Sequence, residues 1–180
     1  MNLNKVGRDN SNVNKGTNRL TIVLFIIYLI ALHWILLLKL GVQFSYMGNR
    51  SVNVIPFREP IILTSENILN VVIFVPLGIY AGVLFQRCHV WKKLFFFFLL
   101  SVLVEGLQYI LRLGAFDITD IITNTLGGVL GLMLFKGLEQ AFDSSVKAQK
   151  IINIIAATGT VLMILLLTLL KMNMLPVKYQ

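Results

Sequence analysis

Residues Glu105–Gly131, EGLQYILRLGAFDITDIITNTLGGVLG, decide how this chain is read. The stretch holds Glu105, Asp117 and Asp120, three of the eight carboxylates in 180 residues, yet it lies between apolar runs long enough to cross a bilayer. An ionisable side chain inside a membrane helix is costly, so such residues usually face a bundle interior and act there. Glu105, Gln108 and Arg112 recur at spacings of three and four, which places them on one helical face. After a break at Gly114, Ala115 and Phe116, the residues Asp117, Asp120 and Asn124 repeat that spacing on the next helix. Two apolar helices are therefore expected to turn polar stripes toward a common seam.

Working outward, 57% of the residues are hydrophobic and only 13% charged, which is too apolar for an ordinary soluble domain. The fold class expected is all-α: one polytopic membrane bundle of five helices. The apolar segments fall near 20–38, 67–85, 94–113, 118–135 and 151–170, each close to the ~20 residues a spanning helix needs. The first is too long for a signal-peptide core and has no small-residue cleavage site after it, so it reads as an uncleaved signal anchor. Residues 1–18 are polar and lack apolar periodicity, so they are expected to be a disordered tail. Residues 19–136 form the membrane domain, and 137–180 supply a loop, the fifth helix and a short tail.

The net charge of +8 follows from topology rather than from nucleic-acid binding, because basic residues are not interleaved with aromatics. Lys5, Arg8, Lys15, Arg19, Arg87, Lys92, Lys93, Lys136, Lys147 and Lys150 fall on one side of the expected bundle. Lys39, Arg50, Arg58, Arg112, Lys171 and Lys178 fall on the other. The positive-inside rule then gives a multi-pass protein of the cell membrane with a cytoplasmic N-terminus and an extracytoplasmic C-terminus. Cys88 is the sole cysteine, which excludes an intramolecular disulfide and a thiolate metal cluster.

In that topology Glu105 lies about 10 Å inward from Arg112 at 1.5 Å per residue. Asn67, Asn70, Gln108, Asp117, Asp120 and Asn124 reach similar depths near the same, outer surface. The loop before the second span carries Asn53-Val54-Ile55-Pro56-Phe57 and is expected either to lie in the interface or to fold back over the seam. Pro76 and Gly78 predict a kink in the second span.

Three blocks resemble the VanZ-like family of bacterial membrane proteins. They are Arg50 with Asn53-Val54-Ile55-Pro56-Phe57; Asn67-Ile68-Leu69-Asn70 with Phe74-Val75-Pro76-Leu77-Gly78; and Glu105, Gln108, Gly114, Phe116-Asp117, Asp120, Asn124, Gly127-Gly128 and Gly131. Val54 stands where the family more often has Leu. The resemblance spans Arg50 to Gly131, under half the chain, and it implies an association with low-level resistance to teicoplanin in Gram-positive bacteria. It implies no defined chemical activity, and the cofactor is left unknown.

Each residue also has a plainer reading. Asp117 suits a helix N-cap, with Asp120 three residues later as in a capping box. Glu105 could pair with Arg112 and hold the hairpin together. Asn67, Asn70 and Asn124 could be interhelical glue, and Gly127 with Gly131 a close-packing pair. His33 reads as a packed side chain rather than a metal ligand. The leading function is a polar pocket at the outer face that takes a polar or cationic group of an envelope lipid or lipid-linked wall precursor. Glu105, Asp117 and Asp120 would supply charge, while Asn53, Asn67, Asn70, Gln108, Arg112 and Asn124 bind and orient. The competing class is an enzyme in which the three acids hold a divalent cation or act as general acid and base. No nucleophile motif or phosphate loop supports that class. Transport is disfavoured by five spans without an internal repeat, an objection that a homo-oligomer would escape.

Overall fold

A computed structural model describes residues 3–38, 52–57, 64–112 and 114–171, with side chains for 18–35, 52–57, 64–112 and 114–165. Five helices and two short strands follow one another as α1 (Leu3–Leu38), β1 (Val52–Asn53), α2 (Ser65–Leu84), α3 (Val90–Ile110), β2 (Phe116–Asp117), α4 (Ile118–Ala141) and α5 (Ser145–Lys171). Every helix contains a window apolar and long enough to span a bilayer, so the all-α membrane bundle stands. Large apolar side chains such as Val72, Leu103, Met133 and Val161 point outward, which suits hydrocarbon and not water. Arg50, Arg58 and the tail after Lys171 lie outside the described residues.

Several boundaries move. α1 starts at Leu3, so most of the stretch expected to be disordered continues the first helix. Once the apolar part has formed, each added residue gains a hydrogen bond without a new nucleus. α3 ends at Ile110, before Arg112, and α4 continues to Ala141.

α2 and α4 form the tightest pair, and they run parallel: Val71 faces Gly127, Val75 faces Gly131, and Gly78 faces Gly128 and Leu132. A Cβ added at Gly78, Gly127 or Gly131 would run into backbone atoms of the opposite helix. Small residues in membrane helices permit this backbone approach, as the glycine spacing predicts. α3 runs antiparallel to α4, with Phe97 against Gly128 near one end and Ser101 against Asn124 further along. Phe74, Leu77, Phe97 and Val104 fill the space between these helices and, with Leu32 of α1, make the main core.

α1 and α5 flank this trio and run parallel to each other. A buried amide–hydroxyl network holds them: Thr21 Oγ1 donates to Asn153 Oδ1 at 2.9 Å, and Gln149 Nε2 donates to Thr21 Oγ1 at 2.8 Å and to Asn18 Oδ1 at 3.0 Å. Pro76 lies within α2 and removes one rung of its ladder. The Tyr28 hydroxyl of α1 donates to the nearby Ile73 carbonyl at 2.8 Å, so a neighbouring helix supplies a donor beside the interrupted turn.

Candidate functional site

The polar stripes meet at the end of the bundle where α2 and α4 begin and α3 finishes. The local sequence explains both helix starts. Thr64 caps α2 by accepting from the Asn67 amide at 3.1 Å, and Asp117 caps α4 by accepting from the Thr119 amide at 2.7 Å. Because α2 and α4 are parallel, two positive helix ends face the same cluster, and Glu66 and Asp120 lie in those first turns. That field favours carboxylates here, opposed in part by the C-terminal end of α3.

The seam has three layers. In the outermost, Asn53 Nδ2 donates to Asp117 Oδ2 at 2.9 Å, and the Asp117 amide donates to Glu105 Oε2 at 3.4 Å. In the middle, Asn70 Nδ2 donates to Asp120 Oδ1 at 2.8 Å, joining α2 to α4. In the innermost, Asn124 Nδ2 donates to Ser101 Oγ at 3.0 Å, joining α4 to α3. Glu105 is 1% exposed and Asp120 8%; Asn70, Gln108 and Asn124 are also buried. The Asn124 side-chain carbonyl has no hydrogen-bond partner among the described residues.

Over the outer layer lies the loop. β1 pairs parallel with β2, Val52 opposite Phe116 and Asn53 opposite Asp117. The Phe57 amide donates to Thr119 Oγ1 at 3.1 Å. Of the two placements open from sequence, the described part of the loop, residues 52–57, takes the one that folds back over the seam.

A family model described as VanZ/LLP1 matches residues 25–142. The chain belongs to the VanZ/LLP1 family. It is also 37% identical over 153 residues to Protein VanZ of Enterococcus faecium, a match covering 83% of this chain and 94% of that protein. No solved structure matches the chain. The VanZ/LLP1 segment takes in α2, α3, α4, both strands and every residue of the seam, and stops before α5.

Eight of the nine residues singled out from sequence are thus brought to this end of the bundle on helices or on the strand pair, Asn67 at the half-buried start of α2 among them. Arg112 departs from its expected place. It lies beyond the end of α3 with φ at 59°, exposed, and does not share the helical face of Glu105 and Gln108. The reason is local: its amide bonds the Tyr109 carbonyl as the last turn unwinds, in the left-handed conformation that commonly follows a helix C-cap. Asp117 acts as a cap, as its plainer reading anticipates, and its second oxygen also holds Asn53. His33 directs Nδ1 at the Leu29 carbonyl, 2.9 Å away, the packed role expected of it.

Sequence reading overlooked Ser101, Thr119 and Thr123, all buried in or beside the seam. Ser101 precedes Glu105 by four residues and so extends the stripe by one turn, a signal that was available. Thr123 bonds the Thr119 carbonyl at 3.0 Å and the Asp120 carbonyl at 3.2 Å, which keeps its hydroxyl within its own helix. Among the described residues, no three of His, Cys, Asp and Glu converge as metal ligands.

Proposed function

We propose that this VanZ-family protein recognises the polar head of a cell-envelope lipid or lipid-linked wall precursor at the outer membrane–water interface. The observation that carries the reading is a hydrogen-bonded flap, Val52–Phe57, closed over a buried acid stripe. Displacing the flap breaks the short β1–β2 pairing and the bonds from Asn53 to Asp117 and from Phe57 to Thr119, and would uncover Asp117 and then Glu105. These acids favour an ammonium or other cationic group, and exposed Arg112 at the rim favours a phosphate. Asn70 and Asn124 set orientation deeper in the seam. The excess of Lys and Arg at the opposite end supports an extracytoplasmic position for the flap by the positive-inside rule.

The family's link with teicoplanin follows if binding alters which wall precursors are displayed there. The test expresses the protein in a susceptible Gram-positive host and compares teicoplanin sensitivity for the wild type, Glu105→Gln and Asp120→Asn at matched membrane levels. The wild type is expected to lower sensitivity and each variant to lose that effect. An effect that survives both substitutions would reduce the acids to caps and packing partners.

A further inference from the structure

A groove on the side of the bundle is used by neither the acid seam nor its flap. It runs between α1, α2 and α5, encloses about 310 Å³ and is closed at one end by Leu138 of α4. Its floor is the buried cluster of Val83, Phe135, Ala148 and Ile152, which pins the start of α5 to α2 and α4. Beside that floor, the Thr21, Gln149 and Asn153 network fastens α5 to α1.

Above the floor, composition leaves the space open. Ala31, Ala156 and Gly159 are small, and a Cβ added at Gly159 meets nothing within 4 Å. The tyrosines on the wall are held back from filling it. Tyr28 donates to the Ile73 carbonyl at 2.8 Å, and Tyr80 packs against Tyr28 and Phe25 at ring-centroid distances of 5.7 and 5.2 Å. Water is a poor occupant, because a trapped water needs about two to four polar partners. Thr160 Oγ1 is already committed to the Ala156 carbonyl at 2.8 Å. Among the described residues, that leaves the Tyr80 hydroxyl as the one further polar side-chain group on the wall. Ile155, also on the wall, is 64% exposed, so the groove opens onto the lipid-facing surface of the bundle.

Depth and charge say which lipid reaches it. The 20 residues of α2 rise about 30 Å, the thickness of a hydrocarbon core. Pro76 and Tyr80 lie roughly 12 and 6 Å from the C-terminal end of α2, within the leaflet farther from the seam. At that end Arg19 of α1 and Lys150 of α5 are exposed, just beyond Leu24 and Ile152, and they complement an anionic headgroup. We propose that the groove holds one acyl chain of an anionic phospholipid from that leaflet. The chain fills a dry space that the helices leave between them and braces α5 against α2 through dispersion contacts. The groove is separate from the flap-covered seam and does not depend on what that seam binds.

Full-length protein is purified in detergent and loaded with phosphatidylglycerol, and the lipid retained per chain is counted by native mass spectrometry. The wild type is expected to keep one phosphatidylglycerol. A basic residue near an anionic surface contributes roughly fivefold in affinity, so phosphatidylcholine should be retained about fivefold less. Single-chain lysophosphatidylglycerol should compete for the site, whereas glycerol 3-phosphate, which has no chain, should not. Gly159→Phe puts a ring where the chain lies. Excluding even ~10 heavy-atom contacts is enough for roughly tenfold weaker retention. Gly137→Phe adds the same ring at an open position that does not line the groove, and should retain the lipid. The proposal is overturned if Gly159→Phe keeps the wild-type amount or if Gly137→Phe loses as much. It is equally overturned if glycerol 3-phosphate displaces the lipid, if phosphatidylcholine is held as well, or if a polyprenyl phosphate is held in preference to phosphatidylglycerol. Should Gly159→Phe not fold, Ala156→Leu narrows the groove from the same helix.

Discussion

Asp117 is held from three parts of the chain at once: Thr119 in its own helix, Asn53 in the flap and, through its amide, Glu105 in α3. Asp117→Ala is expected to lose the cap, about 0.5–2 kcal/mol, and to release the flap as well. Asp117→Asn keeps a capping oxygen and should cost less, which thermal unfolding of the two variants will compare. Asn70 and Asp120 offer a sharper decision. A neutral side-chain hydrogen bond in membrane proteins averages ~0.6 kcal/mol, whereas one to a charged group contributes ~1.5–3 kcal/mol. A double-mutant cycle through Asn70→Ala and Asp120→Ala is expected to fall in the higher range, and a value near the lower one would mark the pair as ordinary interhelical glue. Arg112 makes the opposite case. Glycine suits its positive φ, so Arg112→Gly should leave stability unchanged or raise it by up to about 1 kcal/mol.

At the scale of elements, the α2–α4 contact sets the spacing of the site, because Asn70 reaches Asp120 only while the glycine faces stay closed. Gly131→Leu would force the Val75 backbone away and separate the two helices. Its expected outcome is a sharp loss of folded protein in the membrane, measured by detergent-solubilised yield and melting temperature. Gly137, where an added Cβ meets nothing, should accept alanine without loss and serves as the control. The Tyr28 contact beside Pro76 is a smaller effect: Tyr28→Phe removes the donor to the Ile73 carbonyl and should cost about 1 kcal/mol.

Across the whole molecule, the two ends differ in chemistry. One carries acids, capped helix starts and the flap; the other carries lysines and the exposed thiol Cys88. If the positive-inside orientation holds, a membrane-impermeant maleimide added to intact cells should spare Cys88 and label Val54→Cys in a Cys88→Ser background. The reverse pattern would put the acid seam at the cytoplasmic face and remove its access to wall precursors on the outer surface. Val54 is exposed in the flap, which makes it a suitable reporter.

The sequence alone determined the helix count, the membrane class and most of the seam. Hydrophobic run length and the three-and-four spacing of polar residues are local properties that survive without a third dimension. Glu105 with Gln108, Asp120 with Asn124, and the glycine pair Gly127 and Gly131 were all legible in this way. Only the tertiary structure decided who meets whom. That Asn70 serves Asp120, that Ser101 serves Asn124 and that Asn53 crosses to Asp117 depends on the parallel setting of α2 and α4 and on a loop folded back by backbone pairing. The exit of Arg112 from its helix is different in kind: it is a local left-handed turn after the C-cap, which three-and-four spacing does not reveal. Periodicity assigns a residue to a face, but the partner of that face is chosen by packing between segments far apart in the chain.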